Sequence, residues 1–321
     1  MTLLDVQNLT IAYQTPGGPV VAVDDISLSL EKGKSMGIVG ESGCGKTTIG
    51  MSLLGLLPEN GYVRGGQILF DGKDLLGLSR KELQAFRWKK ISMIFQAAMN
   101  ALNPVQRVGD QIAEAIRIHN PELSEPRIRE QVAELYDLVD IPGTRIHDYP
   151  HQYSGGMKQR AVIAMALSCH PDLIIADEPT TALDVIVQAQ ILHKIKEIQE
   201  RLGIAAIFIS HDIGVVAEVC HDIAVMYAGK IIEYGQREEV FVSPVHPYTS
   251  MLLSSYLTID GVFDLHAETV DHVCTFSSER LPGTCGYADS CPYADDLCAS
   301  EQPGWREISP THKALCRKAC W

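Results

Sequence analysis

The sequence predicts an α/β fold with a mixed sheet and flanking helices, and three observations support this prediction. The short apolar run Ser35–Val39 is followed at once by Gly40–Thr47, which has the pattern G-x-x-x-x-G-K-T. A second apolar run, Leu173–Ala176, is typical of a strand buried on both faces of a parallel sheet, and it ends at two acidic residues. Six of the nine cysteines lie between Cys274 and Cys320, which predicts a small cysteine-rich C-terminal extension.

Length and composition favour a globular chain whose partner is a protein and not a nucleic acid. With 321 residues, of which 46% are hydrophobic and 21% charged, the chain can bury a sizeable core in one large domain plus an appendix. The net charge of -13 and the lack of a basic block argue against a nucleic-acid partner. The start of the chain has no signal-peptide pattern, and no apolar run reaches the roughly 18 to 20 residues of a membrane span.

The first motif is a phosphate-binding loop between a strand and a helix predicted over Thr47–Leu57. Glycines let the backbone wrap closely around phosphate oxygens, and the loop N–H groups with the helix N-terminus favour a triphosphate. Lys46 should reach the β- and γ-phosphates, and Thr47 should ligate magnesium. A plain glycine-rich turn is the alternative. The predicted ATP-binding residues of the loop are Gly40, Glu41, Ser42, Gly43, Cys44, Gly45, Lys46, Thr47 and Thr48.

The second motif is the acidic pair at the end of the Leu173–Ala176 strand. Ligands bind at the carboxyl ends of the strands in such sheets. Asp177 would hold the metal through its hydration shell, and Glu178 would orient or deprotonate the attacking water. A solvated strand end is the alternative, and the phosphate loop upstream makes the catalytic interpretation convincing.

The third motif is Ser154-Gly155-Gly156, which precedes a helix predicted to begin near Met157. It offers backbone donors, a hydroxyl and a helix dipole to an anion. A structural N-cap is the alternative.

In this order, the three motifs resemble those of the ATP-binding cassette (ABC) ATPases. The resemblance implies ATP and Mg²⁺ as cofactors, ATP hydrolysis, and two subunits that sandwich ATP. Ser154, Gly155 and Gly156 would then face the γ-phosphate held by the other subunit. Tyr153 and Met157 differ from the commonest form of this motif, whereas its glycine core is intact.

Four further residues match smaller elements of the same family. Tyr13 matches the aromatic residue that stacks on adenine, and Asp184 matches the acidic residue that communicates across the dimer. Gln96 matches the glutamine that links metal and water to the membrane partner, and His211 matches the histidine at the γ-phosphate. An exposed tyrosine is the alternative at Tyr13, and a structural histidine is the alternative at His211. The implied catalytic residues are Lys46, Gln96, Glu178 and His211, and the implied magnesium ligands are Thr47, Gln96 and Asp177.

The stretch of about 97–160 has helical apolar spacing and predicts a helical subdomain within an ATPase domain over 1–240. In ABC transporters this region docks the membrane subunits, and an ordinary packed insertion is the alternative. Met99–Val105 resembles the peptide-importer subfamily, whereas Ala97-Ala98 departs from it. Over 241–321, the run from His246 through Tyr248 resembles the extension of dipeptide, oligopeptide and nickel importer ATPases.

Within that extension, Cys285, Cys291, Cys298 and Cys316 form the pattern C-x5-C-x6-C-x17-C. Structural zinc sites favour closer cysteine pairs, and a reducing cytosol disfavours disulfides. Ligation of an iron–sulfur cluster fits better, and some peptide-importer ATPases resemble this arrangement and carry a [4Fe–4S] cluster. Zinc and free thiols are the alternatives. Cys320 could replace the fourth cysteine, and Cys274 is spare.

The sequence therefore predicts the ATP-hydrolysing subunit of an ABC importer for peptides or a related small solute. The expected partners are a second ATPase subunit in a heterodimer, with a homodimer as the alternative, two transmembrane permeases and, indirectly, an extracytoplasmic solute-binding protein. The expected location is the cytoplasmic face of the plasma membrane, as a peripheral subunit. One rival is a soluble ABC ATPase acting on ribosomes or DNA, which the single cassette and acidic charge disfavour. The other is a regulatory cassette that does not hydrolyse ATP.

Overall fold

A computed structural model describes residues 1–96, 101–180, 183–257 and 283–318. Its strands, in chain order, are β1 (Thr2–Thr15), β2 (Gly18–Glu31), β3 (Ser35–Val39), β4 (Gly61–Phe70), β5 (Lys73–Asp74), β6 (Ile91–Ile94), β7 (Leu173–Asp177), β8 (Ala205–Ser210), β9 (Asp222–Tyr227), β10 (Lys230–Gln236), β11 (Arg306–Glu307) and β12 (Lys313–Ala314).

Helices follow most of these strands. They are α1 (Lys46–Leu53), α2 (Arg80–Phe86), α3 (Val108–His119), α4 (Glu125–Leu138), α5 (Gly155–Leu167), α6 (Val185–Leu202), α7 (Ile213–Val219), α8 (Arg237–Val242), α9 (Pro247–Leu257) and α10 (Asp296–Ser300). Short 3-10 turns cover Gly143–Arg145, Pro150–Gln152 and Ala288–Ser290.

The strands form two sheets. The larger has the order β11-β12-β10-β9-β3-β8-β7-β6, with parallel pairing from β9 to β6 and antiparallel pairing from β9 to β11. The predicted mixed sheet is therefore confirmed. The structure also has a second, antiparallel sheet with the order β2-β1-β4-β5. One sheet was predicted from the sequence, and this one was missed.

Alternating side chains of the parallel strands supply the two main cores. On β3, Val39 packs with the helices of one core, whereas Met36 and Ile38 pack with the antiparallel sheet and α1. On β8, Phe208 and Ile207 divide in the same way. Because successive side chains of a strand point to opposite faces, a strand covered on both faces must be apolar throughout. This requirement explains why these strands were recognisable as continuous apolar runs.

The predicted elements around the phosphate loop are confirmed, with one correction. The strand Ser35–Val39 is β3 with unchanged bounds, but the helix predicted to run to Leu57 ends at Leu53. Gly55 follows shortly with a φ of +58°, a left-handed conformation that terminates helices and suits glycine. The helix that follows the Ser-Gly-Gly motif begins at Gly155, two residues before Met157.

Helices α3, α4 and α5 form the predicted helical stretch between β6 and β7. The apolar faces of α3 and α4 bury Ile112, Ile116, Val132 and Leu135 in the core that also contains α5. Residues Ala97 and Ala98 lie outside the described residues.

The C-terminal extension is joined to the larger sheet. Strands β9 and β10 form a hairpin connected through Ala228 and Gly229, both at positive φ. Strand β12 then pairs with β10, so residues near the end of the described chain extend the sheet of the ATPase domain. Cys274 and Cys320 lie outside the described residues.

Candidate nucleotide-binding and hydrolysis site

The phosphate loop begins at the carboxyl end of β3 and requires glycine at two positions. Gly40 has a φ of +155°, and a Cβ there would lie 2.0 Å from the Met226 carbonyl oxygen. Gly45 has a φ of +108°, and a Cβ there would lie 2.4 Å from the Ala22 carbonyl oxygen. Backbone on both sides therefore excludes any larger residue, and the loop is forced close around the start of α1.

Lys46 lies inside this loop. Its side chain is buried, and its Nζ donates to the carbonyl oxygens of Gly40 at 2.7 Å and Glu41 at 2.8 Å. Helix α1 begins at the same residue without a side-chain N-cap, which leaves first-turn N–H groups for an anion. The ammonium, these N–H groups and the helix dipole all favour a polyphosphate here. Cys44 is buried beside the ammonium, and its burial raises the pKa of the thiol.

Asp177 ends β7 and is almost fully buried. Burial raises the pKa of its carboxyl group. A hydrogen bond from the Thr47 side chain lowers the pKa and offsets part of this increase. Its Oδ1 atom has no hydrogen-bond partner in the part of the chain that the structure describes. A buried carboxyl oxygen without a partner, next to a hydroxyl, is the donor set that Mg²⁺ prefers, so these residues fit the predicted ion.

Glu178 contacts two other predicted catalytic residues, Gln96 and His211. Gln96 donates from Nε2 to one Glu178 carboxyl oxygen at 2.7 Å, and His211 Nδ1 lies 3.1 Å from the other. The three residues lie at or just after the carboxyl ends of β6, β7 and β8, which are neighbours in the sheet. Glu178 also has a φ of +45°, unusual outside glycine, and its N–H donates to the Ile209 carbonyl oxygen. Such backbone strain is concentrated at functional sites.

Tyr13 lies at the far end of β1, beside the helix that follows the phosphate loop. Its hydroxyl is 3.0 Å from the Thr48 hydroxyl, and its ring lies close to Gly61 of β4, where a Cβ would be 2.8 Å away. The structure thus brings Tyr13 next to the predicted ATP-binding residues. Its stacking on adenine stays a prediction.

The Ser-Gly-Gly motif and Asp184 are helix caps within this chain. The Ser154 hydroxyl accepts from the Met157 N–H at the start of α5, and the Asp184 carboxyl group accepts from the Val187 N–H at the start of α6. Gly156 lies against Val187, where a Cβ would be 3.0 Å from its Cγ1. In the described part of the chain, no hydrogen bond joins these residues to the phosphate loop. Their predicted role toward a partner's ATP is therefore untested.

The four cysteines Cys285, Cys291, Cys298 and Cys316 line one small cavity. None forms a disulfide, and burial raises the pKa of the Cys285 and Cys291 thiols. His246 and Lys318 contribute to the same cavity. However, the described residues contain no group of three or more His, Cys, Asp or Glu arranged to hold a metal ion. The predicted iron–sulfur and zinc sites are thus not confirmed.

Two buried polar residues near the site were not assigned a role from the sequence. Tyr248 reaches the phosphate loop, and Glu233 of β10 accepts hydrogen bonds from the segment before α9. The His246–Tyr248 run was the available signal for the tyrosine. Glu233 lies between apolar residues in the sequence, and this context gave no indication of its three-dimensional partners.

Comparison with known proteins decides the family. The sequence profile described as "ABC transporter" matches residues 23–181, and the profile described as "Oligopeptide/dipeptide transporter, C-terminal region" matches residues 232–298. The chain is 47% identical to the dipeptide transport ATP-binding protein DppD of Bacillus subtilis, over 98% of this chain and 94% of the relative. The chain belongs to the ABC transporter ATPases. Oligopeptide transport ATP-binding protein OppD of Escherichia coli is 43% identical, over 98% of this chain and 93% of the relative.

Solved structures agree with this assignment. The dimeric cassette MJ0796, in a post-hydrolysis state bound to ADP and Pi, has a TM-score of 0.65 at 25% identity, covering 73% of this chain and 99% of that one. CbiO1 from Clostridium perfringens, part of the ABC transporter complex cbiONQ, has a TM-score of 0.67 at 28% identity, covering 81% and 96%. The ABC ATPase fold and ATP-hydrolysing activity predicted from the motifs are confirmed, and ATP with Mg²⁺ fits this family.

This ABC ATPase has no helix, among its described residues, with the length and apolar character needed to cross a bilayer. Family membership implies that it works in an ATPase dimer with permease subunits.

Proposed function

We propose that this ABC ATPase drives the uptake of dipeptides, oligopeptides or a related small solute through an ABC importer. The observation that carries the proposal is that two separate regions of the chain both indicate a transport ATPase. Gln96, Glu178 and His211 converge at the carboxyl edge of the sheet, where hydrolysis is expected. Residues 232–298 match the C-terminal region of oligopeptide and dipeptide transporters, and the relatives DppD and OppD are named for peptide transport.

In the proposed mechanism, the phosphate loop binds ATP. Lys46 balances the charge of the β- and γ-phosphates, and the first-turn N–H groups of α1 orient them. Thr47, Asp177 and Gln96 would hold Mg²⁺, which when bound neutralises phosphate charge and fixes the geometry for in-line attack. The Tyr13 ring would stack on the adenine of ATP. The remaining ATP-binding residues are those of the loop from Gly40 to Thr48.

Glu178 is the proposed group that orients the attacking water and accepts its proton. The Gln96 amide and the His211 ring hold the two carboxyl oxygens of Glu178, so they fix its direction. His211 is mostly exposed, which leaves its ring accessible to a γ-phosphate. This arrangement positions the base before the nucleotide arrives, which lowers the cost of reaching the reactive geometry.

A second ATPase subunit would complete the site. Ser154, Gly155 and Gly156 at the N-terminus of α5 would face the γ-phosphate bound by the partner, and Asp184 would transmit its state across the interface. A related but different chain is the proposed partner, which gives a heterodimer. Binding of ATP would close the pair, and hydrolysis would reopen it.

The proposed assembly places the ATPase pair on the cytoplasmic face of the plasma membrane, beneath two permease subunits. The helical subdomain of about 97–160 would dock the permeases, within an ATPase domain of 1–240. A solute-binding protein outside the membrane would deliver cargo. Cargo does not contact an ATPase subunit in this arrangement, so the choice among peptide lengths or nickel lies in other chains.

Purification of the tagged chain from gently solubilised membranes tests this function. We expect permease subunits and a second ATPase to co-purify, and the complex in proteoliposomes should take up labelled dipeptide only with ATP. The Glu178→Gln complex is the matched control, because it should assemble yet not transport. Co-purification with ribosomes or DNA instead of permeases would refute the proposal and favour the soluble rival.

The four cysteines that line one cavity support a second proposal, that they bind a [4Fe–4S] cluster. Four thiols without disulfides supply the ligand number that such a cluster uses. The cluster would hold the extension together, since ATP hydrolysis needs no electron carrier.

Iron and acid-labile sulfide in anaerobically purified protein test the cluster, together with its visible absorption. Cys291→Ser should lose iron, whereas Cys169→Ser, which changes a buried cysteine of the ATPase domain, should not. A colourless, iron-free parent protein would refute the cluster and favour zinc or free thiols.

A further inference from the structure

Tyr248, in the C-terminal extension, contacts the phosphate loop directly. Its side chain is fully buried, and its hydroxyl accepts a hydrogen bond from the Glu41 N–H at 3.0 Å. The two residues are 207 positions apart in the chain. Burial raises the pKa of Tyr248, so the hydroxyl stays neutral and available as an acceptor. One residue of the extension thus supports the backbone of the phosphate loop without being exposed in the nucleotide site.

Three contacts fix the position of this hydroxyl. The Tyr248 ring packs against Tyr227 at the end of β9, with 4.7 Å between centroids, and against Tyr287 in the cysteine segment, with 5.4 Å. The Tyr248 N–H donates to His246 Nδ1 at 3.1 Å. Aromatic pairs at these distances contribute stabilising free energy beyond that of their buried area, so the Tyr248 ring is held from two sides.

The Glu41 residue is held at both of its backbone polar groups. Tyr248 accepts from its N–H, and Lys46 Nζ donates to its carbonyl oxygen at 2.8 Å. Lys46 also donates to the carbonyl oxygen of Gly40, the residue before it. Rotation of the peptide between Gly40 and Glu41 would therefore break the hydrogen bond to Tyr248 and displace the Lys46 ammonium group.

We propose that Tyr248 is a positioning residue for nucleotide binding, through which the C-terminal extension pre-orders the phosphate loop. The inference rests on the ATP site proposed above. A loop that is already ordered binds its ligand without the entropic cost of ordering, so loss of the hydrogen bond should weaken ATP binding. Tyr248 does not contact the reacting atoms, so the chemical step at saturating ATP should change little.

Tyr248→Phe in the full chain is the direct test, because it deletes one oxygen and keeps the ring. Loss of one hydrogen bond predicts a rise of about two- to tenfold in the Kd for MgATP and in KM, with kcat within about twofold of the parent. Amide exchange of the peptide that contains Glu41 should accelerate. Tyr234→Phe is the matched control, since the half-buried Tyr234 loses the same atom on β10 away from the loop.

The outcomes separate this inference from the proposed function. A parent chain that binds no MgATP would refute the function itself. A parent that binds MgATP, with Tyr248→Phe and Tyr234→Phe both at the parental Kd, would refute only the inference. Urea unfolding of both variants distinguishes a positioning role, because a merely structural bond would lower the unfolding midpoint and leave KM unchanged.

A double-variant cycle tests the route through the cysteine segment. Tyr287→Leu removes one of the two rings that hold Tyr248, so it should also raise the Kd for MgATP. If Tyr287 acts through the Tyr248 hydroxyl, the double variant should bind no more weakly than Tyr248→Phe alone. Additive losses would contradict this coupling.

Discussion

Glu233 joins three segments of the C-terminal region through one buried carboxyl group, and its replacement should strongly destabilise the protein. The side chain is fully buried on β10. Its carboxyl oxygens accept from the N–H groups of Val245 and His246, both at 2.9 Å, and lie 2.8 Å from His312 Nε2. Glu233→Met keeps a similar length and removes all of these acceptors.

The expected loss follows from the donors that are left behind. Each buried donor without an acceptor costs about 1–3 kcal/mol, so three of them would cost about 3–9 kcal/mol. Methionine also removes the cost of burying a carboxyl group, so we expect a loss in the lower half of that range, about 3–6 kcal/mol. Glu233→Gln keeps one oxygen acceptor and should lose less, about 1–3 kcal/mol.

Urea unfolding followed by circular dichroism and tryptophan fluorescence measures this loss, and Trp305 lies in the affected region. Glu307→Gln, on the exposed strand β11, is the matched control and should stay within about 0.5 kcal/mol of the parent. An unfolding midpoint of Glu233→Met equal to that of Glu307→Gln would refute the reasoning, because the three contacts would then contribute nothing.

Three further predictions concern the nucleotide site. Lys46→Ala should abolish measurable MgATP binding in a calorimetric titration, because the main balancing charge for the phosphates is lost. Glu178→Gln should bind MgATP with parental affinity while its phosphate release falls by about 100-fold or more; full turnover would contradict the role of the base. Gly40→Ala should lose ATP binding through the clash with the Met226 carbonyl oxygen, whereas Gly43→Ala, where a Cβ meets open space, should lose less despite its positive φ.

The sequence was sufficient for those parts of the fold that follow local rules. Strands β3 and β7 are buried on both faces, so they had to be continuous apolar runs, and the glycine pattern of the phosphate loop is imposed by backbone contacts at Gly40 and Gly45. The end of α1 was misplaced because the apolar run continues past Leu53, while the chain turns at Gly55. The antiparallel sheet was missed because the pairing of β1 with β4, which joins its two hairpins, depends on contacts distant in sequence.

The site was predicted in the same way, with the same limit. Family motifs identified Gln96, Glu178 and His211, and the structure brings them within hydrogen-bonding distance. The contacts of Tyr248 and Glu233 could not be predicted, because each joins segments whose proximity is set only by the packed sheet. Short-range patterns carry no information about such pairs.

The pairing of β12 with β10 has a consequence for protein synthesis. The ribosome delivers β10 long before Lys313–Ala314, so the nascent chain carries an open sheet edge at β10 until β12 emerges. The same delay leaves Glu233 without His312. Open edges recruit strands from other chains, so a chain truncated just before His312 should aggregate and be removed by quality control.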